Sequence, residues 1–94
     1  MLVIAVLQFE LEIPWATSLK DKRGVVKSLK DRIRRKFNVS ISETEDLDEH
    51  NTATLAAVMA GSDHRYMNGA LDKLLAVLRE LPNATLTDFQ LEFI

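Results

Sequence analysis

Every odd-numbered residue from Val3 to Ile13 is apolar: Val3, Ala5, Leu7, Phe9, Leu11 and Ile13. A strict period of two held over that length is the signature of a strand, because helical geometry would scatter these side chains around a cylinder. The chain must therefore build a sheet with one face sealed by other elements. The opposite side of residues 2–13 is apolar at Leu2, Ile4 and Val6, then polar at Gln8, Glu10 and Glu12. Pro14 ends the strand, since it has no amide proton to donate to a ladder.

A helix follows. Ser18 and Asp21, three residues apart, form a capping-box pattern that predicts a helical start near Lys20. Val26, Leu29, Ile33 and Phe37 recur at helical spacing with Val25 alongside, a single stripe to bury. Phe37, Val39 and Ile41 then alternate with Asn38, Ser40 and Ser42, a half-buried strand near a sheet edge. Residues 43–49 hold five acids and read as a solvated, turn-rich hairpin tip. Their spacing fits no calcium loop, and the required glycine is missing.

Thr52–Gly61 reads as a third strand, rich in small and β-branched residues. Ser62 or Asp63 caps a second helix whose stripe is Met67, Ala70, Leu71, Leu74, Val77, Leu78 and Leu81. Pro82 and Asn83 stop it, and Thr85–Ile94 forms a last strand with Phe89, Leu91 and Phe93 facing in. The order βαββαβ predicts an α+β, ferredoxin-like single domain over residues 1–94: a four-stranded antiparallel sheet with both helices on one face. The first and third strands are central in that plan. Their open faces bring Ile4 and Val6 beside Ala56 and Val58, an uncovered apolar patch that predicts a homodimer interface.

Charge is distributed unevenly. The segment Ser18–Lys36 holds nine of the twelve basic residues and two of the fourteen acids, so it carries +7 against −9 for the remainder. On a helical wheel Lys20, Arg23, Lys27, Lys30 and Arg34 fall together, about 110° from the apolar stripe. They make a ridge about 21 Å long. Surface helices usually gain from acid–base pairs four residues apart, but only Asp31 is placed to pair with this ridge. Lys20, Lys22 and Arg23 also crowd the helix N-terminus, where the dipole disfavours cations. Lys20, Lys22, Arg23, Lys27, Lys30 and Arg34 are therefore the expected nucleic-acid-binding residues, with RNA or a ribosomal particle as partner. The rival reading is a homodimeric adaptor whose ridge meets an acidic protein surface.

Catalytic and cofactor chemistry find little support. The chain has no cysteine, which excludes disulfides and thiolate metal sites and fits a reducing cytoplasm. It has three glycines and no phosphate-cradling loop. His50 and His64 lack partners at metal-ligand spacing. Acylphosphatases share this element order, and Arg23 and Asn38 could take the parts of their arginine and asparagine, but the glycine-containing anion loop is absent. The expectation is a chain that is not an enzyme and holds no metal or cofactor. The run Leu2–Leu7 is too short to span a membrane. RNA recognition by stacked bases is not expected either, because the central strands offer no aromatic platform on their open face.

The run SLKDKRGVVKSLKDRIRRKFNVSISETE, Ser18–Glu45, resembles the signature region of the small bacterial YlxP-like family. The basic motif Ser18, Leu19, Lys20, Lys22, Arg23 and the FNVS strand both stand at the expected separation. The resemblance implies a ferredoxin-like fold, no assigned catalytic residues, and a cytoplasmic role near RNA or the ribosome, since genes of the family commonly lie among those for translation initiation and ribosome maturation. Members often carry a tryptophan followed by glutamine in the hairpin after the second strand. This chain has Asp48-Glu49-His50-Asn51 there.

Overall fold

The computed structural model describes all of residues 1–94. Its elements are β1 (Val3–Glu12), α1 (Leu19–Lys36), β2 (Ser40–Glu45), β3 (Thr52–Gly61), α2 (His64–Arg79) and β4 (Thr85–Phe93). One antiparallel sheet has the order β2-β3-β1-β4. This is the ferredoxin-like plan, with β1 and β3 in the middle.

The odd-numbered residues of β1 and β3 build the floor of the core. Leu7 lies opposite Ala57, Leu11 opposite Ala53, and Phe9 opposite Leu55. The alanines opposite Leu7 and Leu11 leave room for the helices to seat. Val25, Val26, Leu29 and Ile33 of α1 and Met67, Leu71, Leu74, Leu75 and Leu78 of α2 fill that space. Leu75 joins the stripe expected of α2.

Both helix starts are capped as their sequences require. Asp63 accepts a hydrogen bond from the Tyr66 amide at 3.1 Å. Ser18 Oγ accepts from the Asp21 amide at 3.1 Å. The return bond differs from the expected box: Asp21 Oδ2 accepts from both the amide and the hydroxyl of Thr17, each at 3.0 Å. Those two bonds, the Thr17 amide foremost, hold the Asp21 carboxyl below its ordinary pKa. Asn51 fixes the chain entering this cap. Its side-chain amide donates to the carbonyls of Ile13 and Ala16 at 2.9 and 2.8 Å.

Two strand assignments shift. Residues 37–39 precede β2, which instead runs on through Glu43 and Glu45 into the acidic stretch. In β4, Leu91 and Phe93 are half-buried, but Phe89 is 42 % exposed. β4 is an edge strand, and α2 reaches over it only with long or terminal side chains. His64 stacks on Phe93 with ring centroids 3.8 Å apart, and the Arg79 guanidinium sits 5.4 Å from the Phe89 centroid. The β1–β4 ladder slips between Glu10 and Leu11, where Thr87 Oγ1 bonds the Glu10 carbonyl at 3.2 Å.

Gly61 and Gly69 should respond oppositely to alanine. A Cβ at Gly61 would lie 2.7 Å from Sδ of buried Met67, whereas one at Gly69 meets nothing within 4 Å. Gly61→Ala should cost about 1–3 kcal/mol through overpacking. Gly69→Ala, inside a helix, should stabilise by about 0.4–1 kcal/mol. Urea unfolding of the two variants checks both signs.

Candidate nucleic-acid interface

α1 presents its cations as its periodicity requires. Lys20, Arg23, Lys27 and Arg34 are exposed and Lys30 is half-buried, all on the side of the helix away from the core stripe. None of the five lies within 4.0 Å of a carboxylate, because the molecule has a single ion pair and it lies elsewhere. Asp31 does not neutralise Lys27 or Arg34. Arg34 instead donates from a terminal guanidinium nitrogen to the Ile41 carbonyl at 3.0 Å. That bond fastens the end of the ridge to β2, the free edge of the sheet. The end of the ridge therefore lies beside an edge strand of the sheet.

Lys22 must be removed from the expected contact set. It is fully buried, the one charged residue in the core. Its Nζ donates to the carbonyls of Asp46 at 2.7 Å and Thr52 at 3.1 Å. Oε2 of Glu43 lies 2.8 Å away as the counter-charge. That oxygen has no directed hydrogen bond, so the contact is ionic in character. The two carbonyls take two of the ammonium's donors, and the carboxylate balances its charge. The wheel shows why position 22 differs from its neighbours: it sits at the centre of the apolar stripe, between Val25 and Val26 in angle and close to Leu29. A charge placed there must either escape or find partners, and the β2–β3 hairpin supplies them.

The same contact corrects the reading of the acidic stretch. Glu43 points to the helix side of β2, opposite Leu55, and is not part of a solvated tip. Glu45, Asp46, Asp48 and Glu49 remain exposed and without a basic partner. Asp46 turns the chain with φ at 57°, a left-handed conformation that aspartate tolerates better than most residues. This aims its carbonyl at Lys22 while the Glu49 amide, at 3.0 Å, takes the same oxygen. The sequence signal for this site was the lysine in a hydrophobic register followed by a glutamate in a strand register.

The open sheet face holds Ile4, Val6, Ala56 and Val58 together. Val6 is paired with Val58, Ile4 with Ala60, and Gln8 with Ala56. Ile4, Val6 and Ala56 are half-buried by their neighbours and Val58 is exposed. No aromatic side chain lies in this patch. Arg23 and Asn38, the acylphosphatase parts considered above, lie at the first and last ends of α1 and share none of the described hydrogen bonds or hollows. No cluster of three metal-ligating side chains is present, and no helix is long and apolar enough to cross a membrane.

Residues 4–91 match the family described as "Protein of unknown function (DUF503)", and the chain belongs to that family. It is 34% identical over 67 residues to the uncharacterized protein YlxP of Bacillus subtilis, a match covering 71% of this chain and 73% of the relative. Among solved structures, it is similar to SnoaB, a cofactor-independent oxygenase from Streptomyces nogalater. The identity is 13% and the TM-score 0.50, over 98% of this chain and 90% of that one. A variant of the same enzyme aligns at 16% identity and a TM-score of 0.47, over 99% and 90%. The likeness is one of fold and transfers no substrate or residue. It nevertheless overturns the expectation that the chain is not an enzyme. That expectation rested on missing nucleophiles and cofactor motifs, and the neighbouring fold belongs to an enzyme described as needing no cofactor.

The buried pair makes a sharp prediction. Lys22→Ala leaves Glu43 without its counter-charge and should destabilise the protein by about 3–5 kcal/mol. Replacing both partners by apolar residues of similar size, Lys22→Met with Glu43→Leu, should recover at least half of that loss in chemical denaturation. A single-site variant no worse than the double would show that the pair is not coupled.

Proposed function

We propose that the α1 ridge docks onto the phosphates of structured RNA, on a ribosomal particle or its precursor, in the cytoplasm. The observation that carries this reading is the set of five aligned cations, none paired with an acid although the chain has more acids than bases. Six of the fourteen acids go to the cap at Asp21, the buried pair at Glu43 and the hairpin tip at Glu45, Asp46, Asp48 and Glu49, and none of the others lies within 4.0 Å of a ridge cation. An aligned row of solvated, unpaired cations leaves its charge available to an anion arriving from outside. Such contacts position a ligand and give little sequence discrimination, in keeping with a sheet face that has no base-stacking aromatics.

Five phosphate contacts imply that log K falls with log salt at a slope of roughly −3.5 to −4.5. Lys20→Glu, Arg23→Glu and Lys27→Glu together should abolish retention of structured RNA at about 100 mM salt, by electrophoretic mobility shift. Arg34 is left alone in this variant because of its bond to Ile41. The melting temperature should hold or rise, since glutamates near a helix N-terminus are favourable. Wild-type protein that shows no salt-dependent association with RNA would end this reading.

A second copy on the open sheet face is the companion proposal, supported by the exposed Val58 and the apolar Ile4, Val6 and Ala56 around it. Apolar contacts are insensitive to screening, so light scattering should report a dimer that persists as salt is raised and that Val58→Asp dissociates. A dimer that salt dissolves would place self-association on the ridge and the acidic tip.

A further inference from the structure

The far side of α1 carries a second cationic surface that the ridge does not explain. Arg32 and Lys36 lie about 160° around the helix from the ridge axis. They face α2, where Arg65 and Lys73 stand exposed. Three adjoining hollows, of about 540, 340 and 510 Å³, run through this region, and Lys36 and Phe37 line all three. The first is bounded by Lys36, Arg65, Lys73, Phe37 and Tyr66, over a floor at Gly69 and Ala70. The third extends it past Arg32. None of the four cations is within 4.0 Å of a carboxylate. Of the two acids on the rim, Asp63 is engaged in capping α2 and Glu80 stands at the far end. The hollows have the size of small-ligand sites.

Two aromatic rings stand among these cations. Phe37 is half-buried, and Tyr66 is 74 % exposed with neither face stacked on another ring or a cation. Gly69, one turn on from Tyr66, leaves the space beside it open. A flat apolar surface beside three or four unpaired cations matches a ligand that is itself half planar ring and half polyanion.

We propose that this trough binds a nucleotide, with its phosphates on Lys36, Arg65 and Lys73 and its base against Tyr66 and Phe37. Stacking on a ring is tolerant of base identity, and lysine and arginine heads meet phosphate oxygens through charge-assisted bonds. The ligand's chemistry is the same whether it is a free nucleotide or an unpaired nucleotide of an RNA strand. The inference stands apart from the ridge, since it uses different residues on the opposite side of α1.

The test is a two-dimensional amide NMR titration of the full chain with three probes: ADP, inorganic pyrophosphate, and a single-stranded ten-nucleotide RNA. Shifts at Tyr66, Gly69 and Ala70 with ADP, about tenfold tighter than with pyrophosphate, support a free-nucleotide site. The same shifts with the RNA alone support a site for a strand. Arg65→Glu with Lys73→Glu should abolish either response, and Tyr66→Ala should weaken it about tenfold. Lys20→Glu with Arg23→Glu and Lys27→Glu should leave it intact, which separates this site's failure from that of the ridge. Equal affinity for ADP and pyrophosphate would overturn the assignment of a base-stacking site. So would the absence of shifts at these amides with every probe in a wild-type protein whose spectrum is otherwise well dispersed.

Discussion

The ammonium of Lys22 ties together the parts of this fold that the hydrophobic core alone would leave loose. α1 enters from an irregular turn, and the β2–β3 hairpin ends in an acidic loop. Neither contributes many apolar side chains at this end of the sheet. One buried nitrogen bonds the carbonyls on either side of the hairpin turn, at Asp46 and Thr52, and faces the carboxylate of Glu43. The first turns of α1 are thereby fixed against the hairpin. An apolar residue in the same place could pack there, but it would not satisfy two carbonyls or dictate the left-handed turn at Asp46. An ion pair of this kind specifies geometry more than it stabilises.

That anchor also decides what α1 shows to solvent. The rotation of a helix about its own axis is set by what its inner face must meet. With Lys22, Val25, Val26, Leu29 and Ile33 inward, Lys20, Arg23, Lys27, Lys30 and Arg34 have no choice but to line the border beside β2. The bond from Arg34 to Ile41 closes the far end of the same border. The exposed ridge and the buried pair are thus two consequences of one helical phase. Moving that phase by a residue would bury a ridge cation and expose the clamp.

Most of this architecture was legible in the residues. Period-two alternation located β1, a run of small and β-branched residues located β3, helical spacing located both helices, and the order of elements limited the topology to one familiar plan. The misjudged places share a cause. Lys22 was grouped with its charged neighbours by composition, although its angular position belonged to the stripe. Glu43 was grouped with the acidic loop, although its alternation belonged to β2. In both, the phase of the side chain in its element, not its charge, decides where it lies. Only the two together, 21 positions apart, make each placement sensible, and a long-range pairing of that kind leaves no local signature. Phe89 failed differently: its alternation was right, but an edge strand is covered only as far as the neighbouring helix reaches. The trough between the helices was not legible at all, because it is made by the end of one helix meeting the length of another that is distant in the chain.

The distribution of charge gives the closest link between fold and function. A chain with more acids than bases, folded for stability alone, has every opportunity to pair its cations at the surface, where such pairs cost little and return little. Here the one pair that forms is internal, and both cationic surfaces of α1 are left open on opposite sides of the helix. Four exposed acids, Glu45, Asp46, Asp48 and Glu49, are gathered on the tip of the hairpin that Lys22 holds. Segregation of this sort sets up a directional field, which orients an approaching polyanion before any contact is made. Under the docking proposed for the ridge, this field would draw a nucleic acid toward α1 and push it from the acidic tip. The buried lysine maintains that division mechanically, since it is the point at which the basic helix and the acidic hairpin are joined.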